Sequence, residues 1–361
     1  MTKRILFLML LVSNTFFAQI IFENSLAETF EKAKKENKAV FIEFYNQTCH
    51  HCQKVAPFLD SKEVGDAYNP IFVSYKINTY DGLTKEEEDF LTQHKLFFTD
   101  VPNFVYFDKN EKFLHHASGK PDPQYIINKT TEAFDPKIQS SNLSNRVKNG
   151  DKSLGTLYQY SLLAQLNQNK VLADSIANVL YEVYDKKNLS NDTSYIILKN
   201  AVFTTKNGFF KYWVANPKRL KNMDAGEFKG HEVDLLKNII SIDLTDTDFD
   251  WTPQSTEDIY KYIIATNYTT KPENVLVNKR ILFFNKKDPS KDISSYFTPI
   301  LDSDIYQIDD KIYILETLNE NFKDKKSKKI IKKFASELKA KAALWNNNEA
   351  EKQINKIIKS S

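Results

Sequence analysis

From residue 25 onward the apolar positions switch repeatedly between helical and strand spacing. Leu26, Phe30 and Ala33 recur at helical intervals within Ser25 to Asn37. Ala39-Val40-Phe41-Ile42-Glu43-Phe44-Tyr45 is a short, nearly unbroken apolar run, the form of a strand covered on both faces. A helix is predicted from Cys49 toward Ser61 and a strand over Ile71 to Ile77. Thr84 to Lys95 is predicted as a helix, opened by Thr84 as N-cap with Glu87 three residues on. Phe104 to Phe107 reads as a strand, Asp108-Lys109-Asn110-Glu111 as a hairpin turn, and Lys112 to Ala117 as the return strand, ended by Gly119. Asp122 to Phe134 closes the segment as a helix. Strand, helix and strand followed by a hairpin predict an α/β sandwich.

Beyond about Pro136 the pattern changes. Ser140 to Asn145 is polar and linker-like. Helical spacing then recurs over Leu154 to Leu166, Val171 to Tyr184, Asp192 to Phe203, Glu232 to Ile240, Thr256 to Ala265 and Ile330 to Trp345. Such a set predicts stacked helical pairs, tetratricopeptide-like or an irregular bundle. Asn278 to Asn285 and Asp310 to Leu315 have strand character.

The first residues have the pattern of an export signal. Lys3 and Arg4 precede the apolar run Ile5 to Val12, with a cleavage point after Ala18. Eight apolar residues are too few to span a bilayer. The expected organisation is a signal peptide over 1–18, an α/β domain over 19–138 and a mostly helical domain over 139–361. The expected location is periplasmic or secreted, without a stable membrane span after cleavage. A net charge of +3 over 361 residues gives no reason to expect nucleic acid as a partner. Residues 321–361 hold 12 Lys against 4 acidic residues. A solvated face on a terminal packing helix accounts for them, with contact to anionic lipid as the alternative.

Cysteine usage narrows the chemistry. The chain has two cysteines, Cys49 and Cys52. A disulfide that stabilises a fold joins distant segments, because longer loops gain more. A pair three positions apart staples almost nothing, so Cys49-His50-His51-Cys52 points to chemistry rather than scaffolding.

Residues 22 to about 134 resemble the thioredoxin-fold family, in particular its exported thioredoxin-like modules. Ala33 to Lys38 before the first long strand, Glu43 six residues ahead of Cys49, the Cys pair, Pro57, Val101-Pro102 and Gly119 all match the family's order. The resemblance implies a thioredoxin fold followed by the helical domain, and thiol–disulfide exchange with protein thiols or disulfides. Cys49 at a helix N-terminus would attack, since unpaired N–H groups and the helix dipole favour a thiolate. Cys52 would resolve the mixed disulfide. Glu43 would accept the Cys52 proton, and Val101 with a cis Pro102 would present a backbone edge to substrate. His50 and His51 would tune the site. A Cys49 pKa lowered by two to three would favour the reduced pair by about 3–4 kcal/mol, or roughly 60–90 mV. A His before the second cysteine resembles the oxidising and isomerising relatives, so the direction leans toward oxidase or isomerase. The sequence departs from the family at Thr48, where an aromatic residue is common, and in the 50-residue interval from Cys52 to Pro102.

No organic cofactor and no metal ligand set is implied, and electrons would pass through a partner redox protein. Two other readings compete. One is a copper- or zinc-binding site drawing on Cys49, His50, His51 and Cys52, with His94, His115 and His116 nearby. Four consecutive residues cannot close a tetrahedron around one ion, and His115 and His116 read as a hairpin surface. The other is a partner-binding protein whose thioredoxin fold serves for docking, the helical domain taking a protein partner.

Overall fold

The computed structural model describes residues 19–361 apart from 99, 222, 224–229 and 345. The expected export signal lies outside the described residues. The chain divides into two compact units, Met1–Lys186 and Lys187–Ser361.

In the first unit, helix α1 spans Leu26–Glu36. Ser25 caps it by accepting from the Glu28 N–H, and Asn37 ends it in the left-handed region. Leu26, Phe30 and Ala33 are buried, as their spacing predicts. Strand β1 (Ala39–Tyr45) leads to α2 (His50–Leu59) and α3 (Lys62–Tyr68). Strand β2 (Phe72–Asn78) is followed by α4 (Lys85–His94), which opens on the expected Thr84–Glu87 capping box. Strands β3 (Asn103–Phe107) and β4 (Phe113–Ser118) form the hairpin, and α5 (Pro123–Glu132) follows. The sheet order is β2-β1-β3-β4, with β1 parallel to β2 and the other pairs antiparallel.

Alternation along β1 sends side chains to two cores. Phe41 joins Val55, Leu59, Tyr68, Phe104 and Tyr106 on one face. Val40, Ile42 and Phe44 join Phe30, Val105 and Phe107 on the other. That second core also contains Leu166, so the sheet's cover extends past residue 138. Helices α6 (Leu143–Lys148), α7 (Leu154–Leu166) and α8 (Lys170–Val183) all fall within the first unit.

His115 and His116 are not on a hairpin surface: both are buried. Ser140 explains this. Its Oγ accepts from the His116 N–H (3.1 Å) and lies 3.0 Å from His115 Nδ1, while the Ser140 N–H points to the same nitrogen (3.2 Å). His116 Nε2 meets Asn103 Oδ1 at 2.8 Å. The segment after α5 therefore closes over the outer edge of β4, which would otherwise expose unpaired backbone donors.

The second unit is helical. It holds α9 (Asp192–Ala201), α10 (Gly208–Ala215), α11 (Pro217–Leu220), α12 (His231–Thr245), α13 (Pro253–Thr266) and α14 (Pro272–Arg280). It ends with α15 (Ser290–Asp302), α16 (Ile308–Asn321), α17 (Lys325–Leu344) and α18 (Asn348–Ser360). The two stretches with strand character are helical. Residues 278–285 run from α14 into a 3-10 turn, Ile281–Phe283, and Asp310 to Leu315 lies inside α16. Ile312, Ile314, Leu315 and Leu318 are all buried in one core. Asp309, Tyr313, Glu316 and Glu320 of α16, none of them buried, form one narrow stripe, which a window as short as Asp310 to Leu315 hardly samples. The lysine-rich α17 buries Ile331, Phe334 and Leu338 against this core. Among the described residues, no helix is long and apolar enough to cross a membrane.

Candidate active site

The site forms where β1 ends. Asn46 turns the chain: its carbonyl accepts from the Cys49 N–H (3.1 Å), and its Oδ1 accepts from both the N–H and hydroxyl of Thr48 (each 2.8 Å). Cys49 becomes the N-cap of α2, and its Sγ accepts from the Cys52 N–H at 3.4 Å. That N–H is one of the unpaired donors at a helix start, so negative charge developing on Cys49 sulfur has a donor aimed at it. On its other side the sulfur lies 3.3 Å from the Val101 carbonyl, to which the thiol donates. The Val101-Pro102 peptide bond is cis. Both cysteines are free, Cys49 half-buried and Cys52 buried.

Burial pushes the Cys52 thiol up to about 12, helped by its hydrogen bond to Cys49, while the Asn46 backbone opposes the shift. Glu43 is buried on the face of β1 that carries Phe41, the face packed against Val55 and Leu59 of α2. Burial raises its carboxyl to about 7, against the opposing charge of Lys76. Pro57 lies inside α2. His50 and His51, the first two residues of the helix, are exposed, their ring centroids 6.2 Å apart. The structure thus gathers Glu43, Cys49, Cys52, Val101 and Pro102 around one sulfur pair, with both histidines on the solvent side. His94, His115 and His116 sit elsewhere, packed among aromatic rings or held by Ser140. Among the described residues, no group of three or more His, Cys, Asp or Glu side chains is placed to hold a metal ion.

Sequence reasoning missed Asn46, although Asn two residues ahead of a hydroxyl residue is a turn signal. The supporting residue Gly119 has a steric reason. Its N–H donates to the Pro102 carbonyl at 2.8 Å. A Cβ there would lie 2.8 Å from Pro102 Cγ and 3.2 Å from Phe104 Cζ. Gly119→Ala must therefore displace the Pro102 ring or the edge of β4. It is expected to cost about 1–3 kcal/mol, as overpacking does. Urea unfolding checks this, and an unchanged midpoint would show that the ring yields freely.

Glu43 carries a second expected result. Its folded pKa, about 7, lies above the ordinary carboxyl value. Stability from this group is complete below about pH 4.5 and is lost as pH rises through about 7, to a total of about 3 kcal/mol. Glu43→Gln removes that loss. The variant should be the more stable protein at pH 8, with the advantage vanishing toward pH 5. Urea midpoints at the two pH values measure it, and a pH-independent difference would show that the carboxylate reaches water.

A family model described as thioredoxin-like matches residues 21–109. No curated protein matches the chain. Among solved structures, a chain titled DsbH oxidoreductase is similar at 21% identity with a TM-score of 0.29, covering 34% of this chain and 89% of that one. Residues 21–109 of this protein are thioredoxin-like, and they open a chain made of a thioredoxin fold followed by helices.

Proposed function

We propose that this protein is an extracytoplasmic thiol–disulfide oxidoreductase acting on protein thiols or disulfides through Cys49 and Cys52. The observation that carries the reading is the placement of Cys49 Sγ. It receives the Cys52 N–H at the start of a helix and faces the Val101 carbonyl, with a buried partner thiol one turn behind.

In the reducing direction, Cys49 thiolate attacks one sulfur of a substrate disulfide. A Cys49–substrate S–S bond forms and the other substrate sulfur leaves as a thiolate. Cys52 gives its proton to Glu43 and attacks the Cys49 sulfur. This forms the Cys49–Cys52 disulfide and releases the second substrate sulfur. The substrate gains two electrons and the pair loses two. The oxidising direction is the same sequence reversed, and a partner redox protein resets the pair. The proposed direction is oxidising or isomerising, because His50 and His51 are the residues between the two cysteines and a cationic ring near the attacking sulfur would stabilise its thiolate form. The Lys3–Val12 leader pattern supports action outside the cytoplasm.

Equilibration of the wild-type protein in glutathione buffers tests the function and its direction. The pair should interconvert cleanly between dithiol and disulfide, read by alkylation and mass. A potential near roughly −120 mV fits an oxidant and one near roughly −270 mV a reductant. A pair that fails to exchange with glutathione would refute the proposal.

A further inference from the structure

The loop after β2 is lashed to the loop that carries Cys49. Tyr45 and Asn78 are register partners at the ends of adjacent parallel strands. The Thr79 N–H donates to the Tyr45 carbonyl at 2.8 Å. Asp81 Oδ2 accepts from Gln47 Nε2 (3.2 Å) and from Asn78 Nδ2 (2.5 Å). Gln53 of α2 in turn donates to the Gln47 carbonyl (3.0 Å). Gly82, with φ of +87°, turns the chain away.

One large side chain in this braced loop stands mostly in solvent. Tyr80 is 60% exposed, and its N–H is held by Asn78 Oδ1 at 3.0 Å. Beside Cys49 itself stands Thr48, small and polar, its hydroxyl committed to Asn46. Strand order sets the relation of these parts. The β2 end carries Tyr80, the β1 end carries Cys49, and the start of β3 follows Val101 and Pro102. The loop that carries Cys49 therefore lies between the Tyr80 loop and the Val101–Pro102 segment, whose carbonyl meets Cys49 sulfur. An exposed aromatic ring on a loop that is hydrogen-bonded to the loop of the reactive cysteine offers an apolar contact to a bound polypeptide.

We propose that Tyr80 is the specificity-determining contact of the Cys49 site. It receives an apolar side chain next to the reacting cysteine of a polypeptide, so that the substrate class is apolar-flanked peptide cysteines rather than small thiols. This rests on the exchange reading above.

The test uses the reduced full-length protein and peptides whose single cysteine carries a thionitrobenzoate disulfide. Attack by Cys49 on the cysteine sulfur releases coloured thionitrobenzoate, and the peptide remains on Cys49 until Cys52 displaces it as a thiol. Tyr80→Ala should lower the second-order rate constant roughly tenfold for a peptide with leucine beside its cysteine, the loss of one good aromatic contact. The rates for a peptide with aspartate there, and for 5,5′-dithiobis(2-nitrobenzoate), should stay unchanged. Tyr80→Phe should keep the leucine-peptide rate within about twofold, since the ring makes the contact. Equal rates for Tyr80→Ala and wild type on the leucine peptide would overturn the proposal, as would an equal loss on all three substrates. A wild-type protein inert toward all three would refute the exchange reading, and this proposal with it.

Discussion

Cys52→Ser is expected to stop turnover after its first half and to leave the protein joined to its substrate through Cys49. The reason lies in how differently the two sulfurs are placed. Cys49 is half-buried, with a helix N–H aimed at it, whereas Cys52 is buried with its thiol pushed up to about 12. A thiol so reluctant to ionise is a poor attacker in the resting protein. Two of the causes that raise it are the hydrogen bond to Cys49 and the charge of Cys49. Both disappear once Cys49 is consumed in a mixed disulfide. Resolution then needs only a nearby base, and Glu43, poised at about 7, is the buried carboxylate on that side of the sheet. Serine keeps the volume but has neither an acidic proton nor an oxygen able to displace a thiolate from sulfur. Release then depends on external thiol at millimolar concentration instead of a tethered neighbour, whose effective molarity reaches about 10⁵ M in favourable geometry. Turnover should fall by at least roughly 10³-fold. Intact mass after exposure to an oxidised peptide should show protein plus one peptide chain. Turnover at the wild-type rate would mean that Cys49 works alone.

Much of this site was legible because its residues are punctuation as well as chemistry. Cys49 caps a helix, Gly119 admits the Pro102 ring, and Thr84 with Glu87 opens α4. Each imposes a local rule visible in a short window. What escaped depends on contacts distant in sequence. Ser140 stands in a polar stretch that reads as linker, yet its hydroxyl holds two residues of β4 some 24 positions earlier. Asp81 is 34 positions from Gln47 in sequence, and only the parallel pairing of β1 with β2 brings them together. The helix α3 is short and contains Gly65, where a Cβ would lie 2.7 Å from the Gln19 carbonyl carbon. Glycine weakens a helix interior, and the close approach of the Gln19 backbone is what requires it here. In α16 the outward face is a narrow stripe of Asp309, Tyr313, Glu316 and Glu320, so the short run Asp310 to Leu315 meets it mainly at Tyr313 and resembles a strand.

The buried histidine pair makes the first unit acid-labile, and this is the largest stability effect expected. His115 and His116 are held neutral: burial lowers His115 to about 3 and His116 to about 4. Lys129 adds to the cost of charging His115. Glu132 Oε2 lies 3.8 Å from His115 Nε2 and would favour the cation, but it is already engaged by Lys129 Nζ, and burial outweighs it. His116 faces Asn103 and Ser140, neither of which offers a negative charge to imidazolium. With folded values below the free value, stability from both rings is complete above about pH 6.5. It is lost as pH falls toward 4 and then 3. Each ring accounts for several kcal/mol, because every tenfold weakening of proton affinity on folding is worth about 1.4 kcal/mol. A domain holds only about 5–15 kcal/mol in all, so the sheet and its Ser140 clasp should open near pH 4. Hydrogen exchange over Phe113–Ser118 should accelerate steeply between pH 6 and 4 once corrected for intrinsic rates. The double substitution His115→Asn with His116→Gln keeps hydrogen-bonding side chains that do not titrate. It should abolish the fall of the urea midpoint on acidification over the same range and leave only the opposite, shallower slope set by Glu43, even though it lowers stability at neutral pH. Equal dependence of the midpoint on pH from 6.5 to 4 in the wild type and the double variant, in which Glu43 is common to both, would mean that the imidazoles reach water, and that Ser140 closes over β4 less tightly than its hydrogen bonds indicate.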